Sequence, residues 1–258
     1  MFDLKGKSAL VTGATGFLGK EIALSLAEAG AHVYVNSRTL NNCQKLVKEI
    51  KTQGGKATVA CFDVTKMNEV KKFTEKIELL DILINNSYAG KGGTIEVSNS
   101  EDYISSYESS VVASANLFKQ LLPSLRNGVK EGGYASVINI SSMYGLVSPD
   151  KRIYRNELGT NPPFYGACKA ALIQWTKYAA CEFARENIRV NSISPGPFPS
   201  IEAQESEPEM VKQIIQKVPM GRIGQPSELR GPVLFLSSQL SSFVTGTNLS
   251  VDGGWTSW

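Results

Sequence analysis

Short apolar runs alternate with amphipathic stretches from one end of this chain to the other, and that rhythm restricts the fold more than any single motif. Apolar runs at 8–12, 31–36, 57–62, 81–85, 135–140, 188–193 and 248–251 predict strands. Between them the helical period predicts helices from Gly19 to Gly30 and over 42–52, 67–77, roughly 109–125, 164–186, 208–217 and 226–237. Strands that alternate with helices pair in parallel and are covered on both faces, and right-handed crossovers wind them into one doubly wound α/β sheet. The 258 residues, 42% of them hydrophobic, supply core enough for one domain, and no linker or repeat divides them. The expectation is a single-domain α/β Rossmann fold with helices on both faces of a parallel sheet.

Ligands of such sheets bind beyond the carboxyl ends of the strands. The first such end carries Gly13, Thr15, Gly16, Phe17, Leu18 and Gly19 between strand and helix. Glycine lets the backbone turn tightly and approach a pyrophosphate, and the helix N-terminus offers unpaired N–H groups. A tight strand–helix turn alone would use the same glycines. The second strand ends in Ser37 and Arg38, with no carboxylate to accept from ribose hydroxyls. Ser37 and a forked Arg38 suit a ribose 2′-phosphate, so NADP(H) is the expected cofactor and NAD(H) the second option. A solvated surface arginine is the competing reading of Arg38.

Other chemistries find little support. Basic residues number 27 against 24 acidic ones and are spread along the chain, which argues against a nucleic-acid partner. The basic stretch Lys66, Lys71, Lys72, Lys76 is interleaved with Glu69 and Glu75 and reads as a solvated helix face. Cys43, Cys61, Cys168 and Cys181 lack metal-ligand spacing, His32 is the single histidine, and no metal site is expected. No leader pattern or membrane-spanning apolar run occurs, so a cytoplasmic protein with reduced thiols and no membrane partner is expected.

Thr12-Gly13 through Gly19, Asp63-Val64, Asn85-Asn86, Ser142, Tyr165 with Lys169, Asn191, Pro195-Gly196 and Val251 to Gly254 occur in the order found in short-chain dehydrogenases/reductases. The chain resembles that family over essentially its whole length. The resemblance implies that Asp63 and Val64 hold the adenine and that Asn85–Asn86 line the adenosine ribose. It also implies that Pro195–Gly196 cover the nicotinamide and that backbone near Phe198 faces its carboxamide. Ser200 stands where family members often have threonine, and Arg38 matches the basic position of NADP-preferring members. Four features depart from the pattern. Phe17 replaces a middle glycine, Ser87-Tyr88 reshape the loop before Ala89-Gly90, Ser110 stands at the family's catalytic asparagine, and Ser142 and Tyr165 are unusually far apart. The long Ser–Tyr segment and the reshaped loop resemble a subgroup associated with flagellin and surface-sugar modification.

Tyr165 and Lys169, four apart on a helix, share a face. A neighbouring ammonium and an oxidised nicotinamide ring favour the phenolate, so Lys169 is expected to depress the Tyr165 pKa. Tyr165 then exchanges a proton with the substrate oxygen, Ser142 hydrogen-bonds that oxygen, and Lys169 also holds the nicotinamide ribose. Ser110, or Asn116 from the same helix, would anchor a relay water. Singly, Tyr165 and Lys169 read as a surface pair and Ser142 as a turn residue; together with the glycine loop they read as catalytic. His32 reads as a strand-edge residue, and Cys168, Trp175, Tyr178 and Phe183 as packing.

Residues 143–163 are expected to form a substrate wall, where Lys151, Arg152 and Arg155 face either a substrate anion or solvent beside Asp150 and Glu157. Residues 197–220, with Glu202, Glu205, Glu207 and Glu209, resemble the family's mobile lid. Small residues Ala167, Ala170, Ala171, Ala179 and Ala180 suit a helix packed between subunits, as family members use it, so a homodimer or homotetramer is expected. The leading reading is an NADP(H)-preferring oxidoreductase acting on a sugar, sugar derivative or polyol as its small-molecule alcohol or carbonyl substrate. A 3-oxoacyl thioester reductase and a non-catalytic NADP-binding scaffold are the alternatives.

Overall fold

The computed structural model describes residues 2–155 and 159–258. Among these, seven strands form one parallel sheet in the order β3-β2-β1-β4-β5-β6-β7. The strands are β1 (Ser8–Val11), β2 (His32–Ser37), β3 (Lys56–Cys61), β4 (Ile82–Asn85), β5 (Ala135–Ile140), β6 (Ile188–Pro195) and β7 (Asn248–Val251). The helices are α1 (Phe17–Glu28), α2 (Leu40–Thr52), α3 (Met67–Thr74), α4 (Ser100–Tyr107), α5 (Ala113–Gly132), α6 (Pro163–Phe183), α7 (Ile201–Ser206), α8 (Pro208–Lys217) and α9 (Arg230–Ser237).

Strand period two sorts the core into halves. Ala9 and Val11 of β1, Ile82 and Ile84 of β4, and Ile138 and Ile140 of β5 pack with Ile22, Leu26, Leu46, Ile50, Val233 and Leu236 from α1, α2 and α9. Leu10, Leu83 and Val137 point the other way, onto Val70, Leu117, Leu121, Leu125 and Ala180 from α3, α5 and α6. Both faces of β4, β5 and β6 are buried throughout. Their polar side chains are accordingly paired: Asn85 donates to Asn139 Oδ1 (2.8 Å), Asn139 to Thr176 Oγ1 (2.8 Å), and Ser136 to the Leu236 carbonyl (2.7 Å).

Several expectations shift. The helix expected over roughly 109–125 is a π turn at Glu108–Val112 followed by α5, which runs through Pro123 to a left-handed Gly133, and an unexpected helix, α4, precedes it, capped by a box in which Asn99 and Asp102 exchange hydrogen bonds. The expected helix over 226–237 opens as a 3-10 turn at Pro226–Leu229. A short helix, α7, occupies part of the expected lid. His32 opens β2 and meets Thr58 Oγ1 (2.8 Å), as a strand-edge residue does. Lys71, Lys72 and Lys76 are exposed. Tyr178 corrects the packing expectation: it sits on the outer side of α6 and is 70% exposed, whereas Trp175 and Phe183 pack on Phe118.

Candidate active site

The strand order reverses between β1 and β4, and there the glycine loop opens a cleft of about 920 Å³. Gly13 has φ +60, and Gly16 is the N-cap of α1, so Phe17 begins the helix where the commoner pattern has a glycine. A side chain at Gly19 would have its Cβ 2.2 Å from the Gly13 carbonyl oxygen. The loop is closed from the other side by Asn86, which donates to the Thr12 (3.0 Å) and Gly13 (3.2 Å) carbonyls. Gly13, Thr15, Gly16, Phe17, Leu18, Gly19, Ser37, Arg38, Asp63, Val64 and Asn86 all line this cleft. A cradle that only glycine can form, beside an α-helix N-terminus with no acidic residue in its first turn, fits a dinucleotide.

At the β2 end, Ser37 Oγ accepts from the Thr39 N–H (3.2 Å), a small turn that projects Arg38 outward. Arg38 is exposed and forms no ion pair among the described residues, so its guanidinium is available to an anion. Asp63 Oδ1 is occupied by the Thr65 N–H and hydroxyl (2.9 and 2.8 Å), which fixes the carboxylate at the rim.

The catalytic candidates meet at the ends of β5 and α6. Ser142 Oγ accepts from the Tyr144 N–H (3.1 Å), leaving its own proton for the Tyr165 hydroxyl, to which it is hydrogen-bonded. Lys169 Nζ lies 5.7 Å from the Tyr165 ring centre and donates to the Ile140 carbonyl (2.8 Å). Burial lowers the Lys169 pKa to about 8. Burial also raises the Tyr165 phenol, against which the Ser142 hydrogen bond works in the lowering direction. The expected acidification of Tyr165 by Lys169 is therefore corrected for the chain's own groups. Removing the phenol from water outweighs its neighbours, and Tyr165 is held in the protonated form that donates.

The remaining candidates each have surroundings of their own. Ser110, in the π turn, is buried, and its hydroxyl has no hydrogen-bond partner among the described residues. Gly196 crosses Asp252 so closely that a Cβ would lie 2.4 Å from the Asp252 Cα. Pro195 ends β6, the Phe198 ring covers Gly224, and Ser200 Oγ caps α7 by accepting from the Ala203 N–H (3.2 Å). Of the three cations expected in a substrate wall, Arg152 pairs with Asp150 (2.8 Å) and Arg155 with Glu207 (3.3 Å), while Lys151 is exposed. Glu157 lies outside the described residues.

Sequence reasoning missed Tyr88. Its ring stands edge-on to Tyr165 (centroids 4.9 Å, 72°), and it separates the large cleft from a smaller one of about 260 Å³ lined also by Lys91, Tyr154, Asn161 and Tyr165. The insertion of Ser87-Tyr88 before Ala89-Gly90 was the available signal.

A family model described as Enoyl-(Acyl carrier protein) reductase matches residues 13–256. The chain is 33% identical over 259 residues to the 3-oxoacyl-[acyl-carrier-protein] reductase FabG of Thermotoga maritima, covering 97% of this chain and 98% of that one. The structure of a Pseudomonas aeruginosa RhlG/NADP active-site complex superposes with a TM-score of 0.87 at 30% identity, covering 99% and 98% of the two chains. A gluconate 5-dehydrogenase from Burkholderia cenocepacia in complex with NADP and tartrate does so with a TM-score of 0.87 at 28% identity, covering 100% and 98%. Likeness in sequence and in fold thus runs the length of the molecule, and the chain belongs to the short-chain dehydrogenase/reductase family of oxidoreductases, enzymes that act on CH–OH groups.

Proposed function

We propose that the protein is an NADPH-dependent ketone reductase with 3-oxoacyl thioesters as its substrate class. The observation that carries the chemistry is the buried Ser142–Tyr165–Lys169 cluster, in which Tyr165 is kept as a phenol ready to donate. The cofactor, when bound, supplies the hydride. Gly13, Thr15, Gly16, Phe17, Leu18 and Gly19 would cradle its pyrophosphate, Ser37 and Arg38 its 2′-phosphate, and Asp63, Val64 and Asn86 its adenosine. Pro195, Gly196, Phe198 and Ser200 would border its nicotinamide end. Ser142 orients the substrate carbonyl oxygen, Tyr165 delivers a proton to it, and Lys169 holds the ribose and keeps positive charge beside the phenol. Ser110, with its unpartnered hydroxyl, is the group on its helix suited to hold a relay water. NAD(H) is the second cofactor.

The thioester assignment rests on likeness to the Thermotoga reductase. A sugar-acid or polyol substrate is the second reading, favoured by likeness to the gluconate dehydrogenase. The surface-sugar subgroup has only the long Ser142–Tyr165 segment and the Ser87–Tyr88 loop behind it. Residues 143–163 as substrate wall, 197–220 as lid, and a homodimer or homotetramer that covers exposed Tyr178 complete the proposal.

Steady-state reduction of 3-oxobutanoyl-N-acetylcysteamine, against a panel of keto-sugar acids, tests it. Turnover with NADPH on the thioester and none on the sugar acids is the expected result; the reverse pattern transfers the assignment to sugars. Tyr165→Phe should lower kcat by about 10²-fold or more while NADPH fluorescence titration changes little. Unchanged turnover in that variant would remove Tyr165 from the chemistry.

A further inference from the structure

A buried ammonium needs compensation, and Lys169 has little of the usual kind. The residue is 3% exposed, makes one hydrogen bond, to the Ile140 carbonyl, and forms no ion pair among the described residues. What faces it instead is aromatic: the Tyr165 ring at 5.7 Å from its own helix, and the Tyr88 ring at 5.2 Å from the loop after β4. The Cys168 thiol, also on α6, is the other titratable group acting on it.

Tyr88 is held firmly. Its hydroxyl meets Ser106 Oγ of α4 (3.1 Å), and its ring packs with Val111, Cys168 and Leu172. A side chain at Gly90 would strike the Tyr88 hydroxyl, with Cβ 2.3 Å from it. Ser109, in the π turn, donates to the Ala89 carbonyl (3.2 Å) and fastens the loop that carries the ring.

We propose that Tyr88 is a positioning residue for the catalytic pair: its ring holds the Lys169 ammonium by a cation–π contact, and its edge-on contact with Tyr165 fixes the phenol. The inference rests on the oxidoreductase reading of Tyr165 and Lys169. It gives the inserted Ser87-Tyr88 pair a task, because the ring takes a share of the charge compensation that no carboxylate among the described residues supplies.

The test is titration of the Lys169 side chain by NMR in protein labelled with ¹³Cε-lysine, the resonance being assigned by its loss in Lys169→Met. Tyr88→Phe keeps the ring, Tyr88→Leu removes it, and 3,5-difluorophenylalanine at position 88 keeps the shape while weakening the π face. The Lys169 midpoint should fall by about half a unit to one unit in the leucine and difluorophenylalanine proteins and stay in place in the phenylalanine protein. The alkaline limb of kcat should move with it. Identical midpoints in all four proteins would overturn the proposal. So would a shift in the phenylalanine protein equal to that in the leucine one, which would assign the effect to the Ser106 contact. Should Tyr88→Leu not fold, the difluorophenylalanine protein decides alone. Absence of turnover by the wild type on any ketone or alcohol would defeat the enzymatic reading, while the titration would still judge the Tyr88 contact.

Discussion

Arg38 and Lys169 show what one side chain does at either end of the cleft. Arg38 projects from its turn without an ionic partner among the described residues, so reversing its charge repels a 2′-phosphate and suits ribose hydroxyls. Arg38→Asp is expected to lower kcat/KM for NADPH by about 10²-fold relative to NADH, measured by steady-state kinetics with both cofactors. Lys169 makes a stability statement. Its folded pKa, about 8, lies below the unfolded value near 10.5. The unfolded chain therefore binds more protons between those pH values, and folding gains stability as pH rises through that window. Below about 8 both states are protonated and the burial cost is complete, on the order of 3 kcal/mol. Lys169→Met is expected to raise Tm at pH 7, with the advantage shrinking as calorimetry is repeated from pH 8 to pH 10. Ser142, Tyr165 and Lys169 were legible in the sequence because they sit at fixed places in an ordered series of motifs. Tyr88 was not, since a loop aromatic has no period to betray it. Nor was the direction of the Tyr165 shift, because burial belongs to the assembled site and spacing is silent about it.

Elements were readable where apolar residues recur with the period of a helix or run as a short apolar strand. Expected and observed bounds coincide for α8, β5 and β7. Helix α4 was not anticipated: it is eight residues long, it buries only Ser106, and its apolar residues Tyr103, Ile104 and Tyr107 are exposed. Its legible mark was the Asn99–Asp102 cap. The π turn has no sequence period at all, and α7 is six residues long with only its Ser200 cap to announce it. Close approach of helix to sheet is set by single small residues. Gly128 of α5 faces the Leu80 carbonyl, which a Cβ would meet at 2.3 Å. Gly128→Ala should destabilise the protein by roughly 1–3 kcal/mol, read as a lower urea midpoint at unchanged m-value.

Across the whole molecule, the doubly wound topology followed from alternation alone, but the packing of residues 143–155 against residues 207–218 did not. Met143 and Ile153, from the segment between β5 and α6, pack with Val218 and Trp255, and with Met210 and Ile214 of α8. Asp150 pairs with Lys217, and Arg155 with Glu207, across the same seam. These contacts join segments more than fifty residues apart in sequence, beyond the reach of local patterning. Asp150→Ala is expected to raise KM for the ketone severalfold and to speed proteolytic cleavage within residues 197–220, followed by mass spectrometry, because it releases Lys217 and frees the Arg152 side chain.

The strand order also dictates the history of each molecule. Val11 has its place beside Ile84, so β1 waits for more than seventy residues of synthesis before its second neighbour exists. Until then a nascent β3-β2-β1 unit presents the row of unpaired amides and carbonyls on β1 that will later lie at the centre of the sheet. The edge nearest the glycine loop is thus open to wrong partners for as long as β4 is missing, and the arrival of β4 both buries that hazard and creates the crevice.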